Sequence, residues 1–262
     1  MKSKQAIGVF DSGIGGLSIW KEIVNLLPNE DTIYLADSKN APYGQKSKQE
    51  IIDLSVKNTE LLLNKGCKII VVACNTATTN AIDHLRQNYN VPFIGIEPAI
   101  KPAALQTKTN AIGILATQGT LTSELFHSTS NKFTEGKKVI EQVGEGLVPL
   151  IEKGEIDTLK IKNLLDKYLK PMLAKKIDYL VLGCSHYPFL IPQIREIVGD
   201  KVTIIDSSEA VAKQTKVVLD KDSLLNLKKE KSSHQLYSNA TLTSMLHIVS
   251  SIKNCTVKYL DF

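Results

Sequence analysis

Two of the four cysteines in this 262-residue chain stand where a thiol could act on a ligand. Cys74 directly follows the apolar run 69–73, and Cys184 directly follows the apolar run 179–183. In open parallel sheets, ligands bind beyond the carboxyl ends of the strands, so both thiols are predicted to lie at such a site. Cys67 and Cys255 have no comparable setting and are predicted to be structural.

A pair of thiols facing one ligand from opposite sides could invert a stereocentre. An unperturbed thiol has a pKa of about 8.5, so near neutral pH it can act as a base when ionised and as an acid when protonated. Inversion needs one group that removes a proton and another that delivers a proton to the opposite face. Two groups of the same type can carry out the inversion in both directions. The neighbouring residues Asp11, Glu152 and His186 could tune the pKa values of the two thiols.

Alternating strand and helix patterns place these residues on a parallel α/β architecture. Strands are predicted at 7–10, 32–36, 69–73, 93–96, 111–115, 179–183 and 202–205, and helices at 17–27, 47–65, 78–88, 120–130, 156–174 and 191–198. Several of the strands are near-continuous apolar runs, which is typical of sheets covered on both faces.

The second half of the chain repeats features of the first half. Residues 7–13 resemble residues 112–119, the run ending at Cys74 resembles the run ending at Cys184, and each Cys is followed by an arginine and then a strand. We therefore predict two pseudo-symmetric three-layer α/β domains with mainly parallel sheets and the active site in the cleft between them. The first domain comprises 1–97 plus 208–262 and the second 98–207, with crossings near 98–102 and 207–209.

Polar turns follow the apolar strands at four places. Three of them begin at Asp11, Cys74 and Cys184 and lead into helices, where backbone N–H groups favour anions. The fourth is the loop 36–44. The first three turns satisfy the geometry of ligand sites in open parallel sheets, and the fourth likewise follows a strand.

Composition excludes several classes of protein. The net charge is a mild +5, only Arg86 and Arg195 among 32 basic residues are arginine, and no basic stripe is interleaved with aromatics, which argues against nucleic-acid binding. The densest basic run, Lys228-Lys229-Glu230-Lys231, is predicted to be a solvated surface. No apolar run is long enough to span a membrane and no signal-peptide pattern is present, so a cytoplasmic protein with reduced thiols is expected.

Taken together, five motifs resemble those of glutamate racemases. They are Asp11-Ser12-Gly13-Ile14-Gly15-Gly16-Leu17, Tyr34-Leu35-Ala36-Asp37, Pro42-Tyr43-Gly44, Ala73-Cys74-Asn75-Thr76-Ala77 and Gly183-Cys184-Ser185-His186-Tyr187-Pro188. The resemblance runs from about residue 7 to residue 210. Ser185 stands where the family usually has threonine, and the serine retains the hydroxyl group. The tail beyond about residue 215 carries less of the pattern and is assigned no chemistry.

The resemblance implies a racemisation of glutamate that needs neither pyridoxal phosphate nor metal, in a homodimer that supplies D-glutamate for peptidoglycan. It implies that Cys74 abstracts the α-proton of D-glutamate and Cys184 that of L-glutamate. Asp11 would assist Cys74, and Glu152 and His186 would assist Cys184. The implied substrate contacts are Asp11, Ser12, Tyr43, Gly44, Asn75, Thr76, Thr117, Thr120, Ser185 and His186.

Other interpretations of the same residues remain open at this point. Asp11 alone could cap a helix, and Glu152 could be an exposed helix residue. His84, His127, His234 and His247 lack a motif and are predicted to be surface or structural residues. Gly13-Ile14-Gly15-Gly16 fits neither dinucleotide nor Walker patterns.

Three whole-protein alternatives also stay open. The first is a racemase of aspartate or another acidic amino acid. The second is a non-catalytic protein that closes over an acidic ligand. The third is a redox or metal protein that uses Cys74 and Cys184, against which the absence of paired Cys motifs argues.

Overall fold

The computed structural model describes residues 2–227 and 232–262. The predicted solvated run Lys228-Lys229-Glu230-Lys231 lies outside these described residues. Within them, no helix has the length and apolar character needed to cross a lipid bilayer.

Within residues 2–227 and 232–262, ten strands form two sheets. They are β1 (Ile7–Asp11), β2 (Thr32–Ala36), β3 (Ile69–Val72), β4 (Phe93–Gly95), β5 (Ala111–Ala116), β6 (Lys138–Val143), β7 (Tyr179–Gly183), β8 (Thr203–Ile205), β9 (His234–Ser238) and β10 (Cys255–Tyr259). The first sheet has the order β10-β9-β2-β1-β3-β4 and the second has the order β6-β5-β7-β8. All strand pairs are parallel, which confirms the predicted α/β fold class.

The helices lie between the strands. They are α1 (Leu17–Leu26), α2 (Lys48–Asn64), α3 (Asn75–Asn88), α4 (Ile100–Gln106), α5 (Gln118–Leu121), α6 (Glu124–Phe133), α7 (Leu147–Glu152), α8 (Leu159–Leu173), α9 (Ile191–Val198), α10 (Ser208–Lys221) and α11 (Thr243–Val249). Short 3₁₀ helices occur at Lys2–Lys4, Ser38–Asn40, Tyr43–Gln45 and Tyr187–Leu190.

The two sheets share a four-strand pattern. The order β2-β1-β3-β4 in the first sheet corresponds to β6-β5-β7-β8 in the second. Cys74 follows β3 and Cys184 follows β7, so the two thiols occupy equivalent places. The sequence repeat therefore reflects a structural repeat. β9 and β10 extend the first sheet beside β2, while the exact domain bounds 1–97 plus 208–262 and 98–207 stay a prediction.

The central strands are buried on both faces, as their apolar runs require. In β3, Ile69 and Val71 pack into one apolar cluster, whereas Ile70 and Val72 pack into another on the opposite face. Because both faces of the strand are packed, the end of the strand is held in a fixed position. The polar turn that follows the strand is therefore held in place as well.

Several elements differ from the predictions because local capping or edge position overrides the apolar pattern. Helix α3 begins at Asn75 instead of the predicted residue 78, because the Cys74 side chain accepts the Ala77 N–H as its N-cap. The predicted helix 120–130 is two helices, because Ser123 caps a new start. The edge strand β6 and the tail strands β9 and β10 are partly exposed and carry no long apolar run, so the pattern missed them.

Candidate active site

The polar turns of both halves meet around one small cavity. Its lining comprises Ser12, Pro42, Tyr43, Gly44, Cys74, Asn75, Thr76, Thr117, Val148, Cys184, Ser185 and His186. About 10 Å³ is open to the centres of water molecules, which is room for about one water. The structure thus places ten residues from the predicted set on one small cavity. Asp11, Thr120 and Glu152 lie directly behind it.

Cys74 occupies the N-terminus of α3. Its Sγ accepts the backbone N–H of Ala77 at 3.4 Å and donates to Ser12 Oγ at 3.6 Å. Burial raises the pKa of this thiol, and the negative charge of Asp11 raises it further, which outweighs the two hydrogen bonds. A thiol held in this way is a weak acid, and its thiolate is a strong base.

Asp11 joins the two halves of the molecule. Its Oδ2 accepts the Gly13 N–H at 3.0 Å, and its Oδ1 accepts the Ser185 hydroxyl at 2.9 Å. Burial raises the pKa of the Asp11 carboxyl, although the charge of His186 and the Ser185 hydrogen bond act in the opposite direction. The N-cap residue of helix α1 is Gly16, so Asp11 is not the N-cap residue of this helix.

Cys184 is flanked by a histidine–glutamate pair. His186 Nδ1 lies 3.9 Å from Cys184 Sγ, and its Nε2 lies 2.5 Å from Glu152 Oε1. Burial lowers the pKa of His186, but the hydrogen bonds to Cys184 and Glu152 and the charges of Glu152 and Asp11 raise it well above its ordinary value. The imidazole next to this thiol is therefore poised to carry a positive charge.

Glu152 is held from three directions. Besides His186, it accepts the Ile14 N–H at 2.7 Å and the Ser38 hydroxyl at 2.8 Å. Its side chain is only 15% exposed, so the alternative that it is an ordinary exposed helix residue is wrong. It comes from α7, a helix that the sequence pattern did not reveal.

Three threonine hydroxyls meet where the halves of the molecule touch. Thr76 Oγ1 lies 2.8 Å from Thr117 Oγ1 and 3.3 Å from Thr120 Oγ1, and the last two are 3.0 Å apart. Thr76 belongs to α3, whereas Thr117 caps α5. These hydroxyls form a polar wall that both halves share.

Asn75 offers polar atoms to the cavity. Its side-chain nitrogen and oxygen are both buried, and within the described residues neither has a hydrogen-bond partner. Buried polar groups are almost always paired, so this amide marks a place for a polar ligand group.

Two glycines permit the close approach between the halves. A Cβ on Gly13 would lie 2.0 Å from Glu152 Oε1, and one on Gly15 would lie 2.3 Å from His186 Nδ1. The small residues after β1 are therefore needed because the Glu152–His186 pair packs against this turn.

Sequence reasoning missed several residues of the site. Ser38 fixes Glu152, and Ser18 donates to the Ser185 carbonyl at 3.3 Å. Pro42 and Val148 line the cavity. The polar loop 36–44 indicated that Ser38 could belong to a site. Its partner Glu152, however, lies 114 residues away in sequence. Tyr43 lines the cavity, and its hydroxyl donates to Asp37.

The remaining cysteines and His234 are placed as structural side chains. Cys67 is buried, which raises its pKa to about 12, and Cys255 is half-buried in β10. His234 is buried between Thr32 and Trp20. Across the described ranges, no three His, Cys, Asp or Glu side chains are grouped to hold a metal ion.

Comparison with known proteins gives consistent matches. The family model described as Asp/Glu/Hydantoin racemase matches residues 7–215. A glutamate racemase of Herpetosiphon aurantiacus is 46% identical over 222 residues, covering 85% of this chain and 87% of the relative. A glutamate racemase isoform of Bacillus anthracis superposes with a TM-score of 0.87 at 30% identity, covering 99% and 98% of the two chains. The Francisella tularensis glutamate racemase in complex with D-glutamate has a TM-score of 0.83 at 28% identity, covering 98% of each chain.

Proposed function

The chain belongs to the aspartate/glutamate/hydantoin racemase family, and from that premise we propose that it interconverts L-glutamate and D-glutamate. One observation carries the proposal: two buried cysteines, at equivalent positions of two repeated sheets, line the same cavity. Relatives at 42–50% identity bear the name glutamate racemase, which supports the choice of substrate.

The chemistry is a proton transfer on each face of the substrate α-carbon. For D-glutamate, the Cys74 thiolate takes the α-proton and becomes a thiol, and the Cys184 thiol delivers its proton to the opposite face. L-glutamate reacts in the reverse sense. Proton transfer by positioned side chains contributes about 10²–10⁴-fold to rate. Each turnover exchanges the protonation states of the two cysteines, and proton exchange with solvent restores them before the same enantiomer reacts again.

The neighbouring groups support the two thiols differently. Asp11 acts beside Cys74, where its charge strengthens the thiolate as a base. His186, charged through its pair with Glu152, stabilises a thiolate at Cys184. The substrate would be held by Asn75, by the Thr76, Thr117 and Thr120 hydroxyls, and by Ser12, Tyr43, Gly44 and Ser185.

The proposal extends to the setting of the reaction. Because both proton transfers use side chains of the chain itself, no pyridoxal phosphate or metal is required. The product would be D-glutamate for peptidoglycan, made in the cytoplasm by a homodimer, as the family resemblance implies.

A racemase of aspartate is the second candidate, since the family model covers both acidic amino acids. The two substrates differ by one methylene, which is worth only about 1–3 kcal/mol in a pocket. The glutamate racemase relatives favour glutamate.

The experiment that tests the proposed function is a circular dichroism assay with purified protein and no added cofactor. L-glutamate and D-glutamate should each lose their signal with time, and L-aspartate should lose it much more slowly. Faster loss with aspartate would move the proposal to the second candidate. If folded protein leaves the signals of glutamate and aspartate unchanged, the proposed racemase function is wrong.

A further inference from the structure

The tail of the chain contacts the loop that forms one wall of the candidate active site. This wall loop, residues 37–46, presents Tyr43 and Gly44 to the cavity and Ser38 to Glu152. Asn239 directly follows β9, and its Oδ1 accepts the backbone N–H of Lys39 at 2.9 Å across 200 residues of sequence. The segment to which the sequence assigned no chemistry thus lies against the site.

Asn239 is buried, and its amide uses both of its polar atoms. Its Nδ2 donates to Asp37 Oδ1 at 2.5 Å and to the Phe262 carbonyl at 3.1 Å. One side chain therefore ties together the wall loop, the end of β9 and the chain beyond β10. An amide satisfied on each side has little freedom to move.

Asp37 passes this constraint on to the cavity. Its buried carboxylate accepts hydrogen bonds from Asn239, from Asn40 at 2.8 Å and from the Tyr43 hydroxyl at 2.5 Å. A buried carboxylate needs such donors to remain in place. Tyr43, at the other end of this chain of contacts, is buried and lines the cavity.

We propose that Asn239 is a positioning residue of the candidate active site, which fixes Asp37 and, through it, Tyr43 and the wall loop against the substrate. The inference rests on the proposed function, because its kinetic readout is glutamate racemisation. It extends the site to a segment outside the matched family region, which ends at residue 215.

Replacing Asn239 should affect substrate binding more than chemistry. In Asn239→Ala, the KM for both enantiomers should rise about tenfold, as expected for the loss of a hydrogen bond to a charged group. The kcat should stay within about threefold, because Cys74 and Cys184 are held by β3 and β7 and not by the wall loop. A residue that only stabilises the fold would lower the amount of active enzyme without changing KM.

A double-mutant cycle tests the route through Asp37. Asn239→Ala and Tyr43→Phe remove two donors to the same carboxylate, so their effects on KM should be strongly non-additive. The matched control is Asp261→Ala, which breaks an exposed ion pair between the same tail and Lys39 and should change KM less than about twofold. Additive effects of the first pair would contradict the route.

A second variant and an activity-independent readout complete the test. Asn239→Leu keeps the side-chain volume and removes both donated hydrogen bonds without placing a charge against Asp37, so it applies if the alanine variant does not fold. Amide hydrogen exchange over 37–46 should be faster in either variant than in Asp261→Ala. Unchanged exchange, or a wild-type KM in a folded Asn239 variant, overturns the inference. Wild-type protein that fails to racemise glutamate while exchange responds as expected refutes the proposed function alone.

Discussion

At the residue scale, the two candidate thiols differ in their surroundings although their places in the fold are equivalent. Cys74 is buried beside the carboxyl of Asp11, whereas Cys184 lies next to a histidine that Glu152 holds in place. The strand-end pattern predicted both cysteines. It could not predict Ser38 or Asn239, because their partners lie 114 and 202 residues away in sequence and only the fold brings them together.

The His186–Glu152 pair should make stability depend on pH. Burial lowers the pKa of His186, but the hydrogen bonds to Cys184 and Glu152 raise it well above the ordinary value in the folded protein. The pair therefore stabilises the fold fully below about pH 6.5, and this contribution is lost as the pH rises through the raised folded value. Urea unfolding of the wild type and Glu152→Gln should show a difference in unfolding free energy that is largest below about pH 6.5 and narrows as the pH rises above it.

The control for this prediction is Glu155→Gln, because Glu155 is exposed just beyond the same helix. The difference in unfolding free energy between Glu155→Gln and the wild type should be small at each pH. A gap for Glu152→Gln that stays constant or widens with rising pH would show that the pair does not hold a charged histidine.

At the element scale, each functional turn follows a buried strand, and two of these turns supply the N-cap of the helix that comes after them. The Cys74 and Thr117 side chains are themselves the N-caps of α3 and α5. The apolar runs made these strands predictable, since double burial leaves a clear pattern. Helix α7, which carries Glu152, was not predictable. Its six residues are too few to show a clear helical periodicity of apolar side chains.

The glycines after β1 should separate activity from stability. In Gly13→Ala, the new Cβ would meet the end of the flexible Glu152 side chain at 2.0 Å, so Glu152 must leave its place. We expect kcat/KM to fall by about tenfold or more, as for a misplaced catalytic group, while the free energy of unfolding falls no further than in Glu152→Gln.

Gly16→Ala provides the matched comparison. Its Cβ would meet the Cβ atoms of Ala73 and Asp11 at 2.8 Å, which belong to rigid strand ends. Overpacking there should lower the free energy of unfolding by about 1–3 kcal/mol. If Gly13→Ala were instead the less stable variant, with full activity, the contact with Glu152 would not matter for the reaction.

At the scale of the whole molecule, two sheets with the same strand order close over one cavity. The sequence repeat predicted this arrangement, but the edge strands β6 and β10 and the neighbouring strand β9 escaped prediction because their exposed positions carry polar side chains. The cavity has room for about one water, so the halves must separate or the wall loop must move before an amino acid can enter.

Contacts between the halves should therefore contribute to binding. Asn80 of α3 donates to the Gly119 carbonyl in the other half at 3.0 Å. Asn80→Ala should raise the KM for both enantiomers by about threefold to tenfold, the value of one net hydrogen bond. Asn88→Ala is the control on the same helix, since Asn88 is exposed and bonds only within α3. Equal KM values for the two variants would mean that closure does not use this contact.

The central claim is that two cysteines exchange protons with the two faces of glutamate, and α-deuterium incorporation in deuterated water tests it most directly. The wild type, given L-glutamate without cofactor, should form D-glutamate that carries solvent deuterium at the α-carbon. Cys74→Ser and Cys184→Ser should each form it about 10²–10⁴-fold more slowly. Product without deuterium, or near-wild-type turnover in either folded variant, would contradict the two-cysteine mechanism.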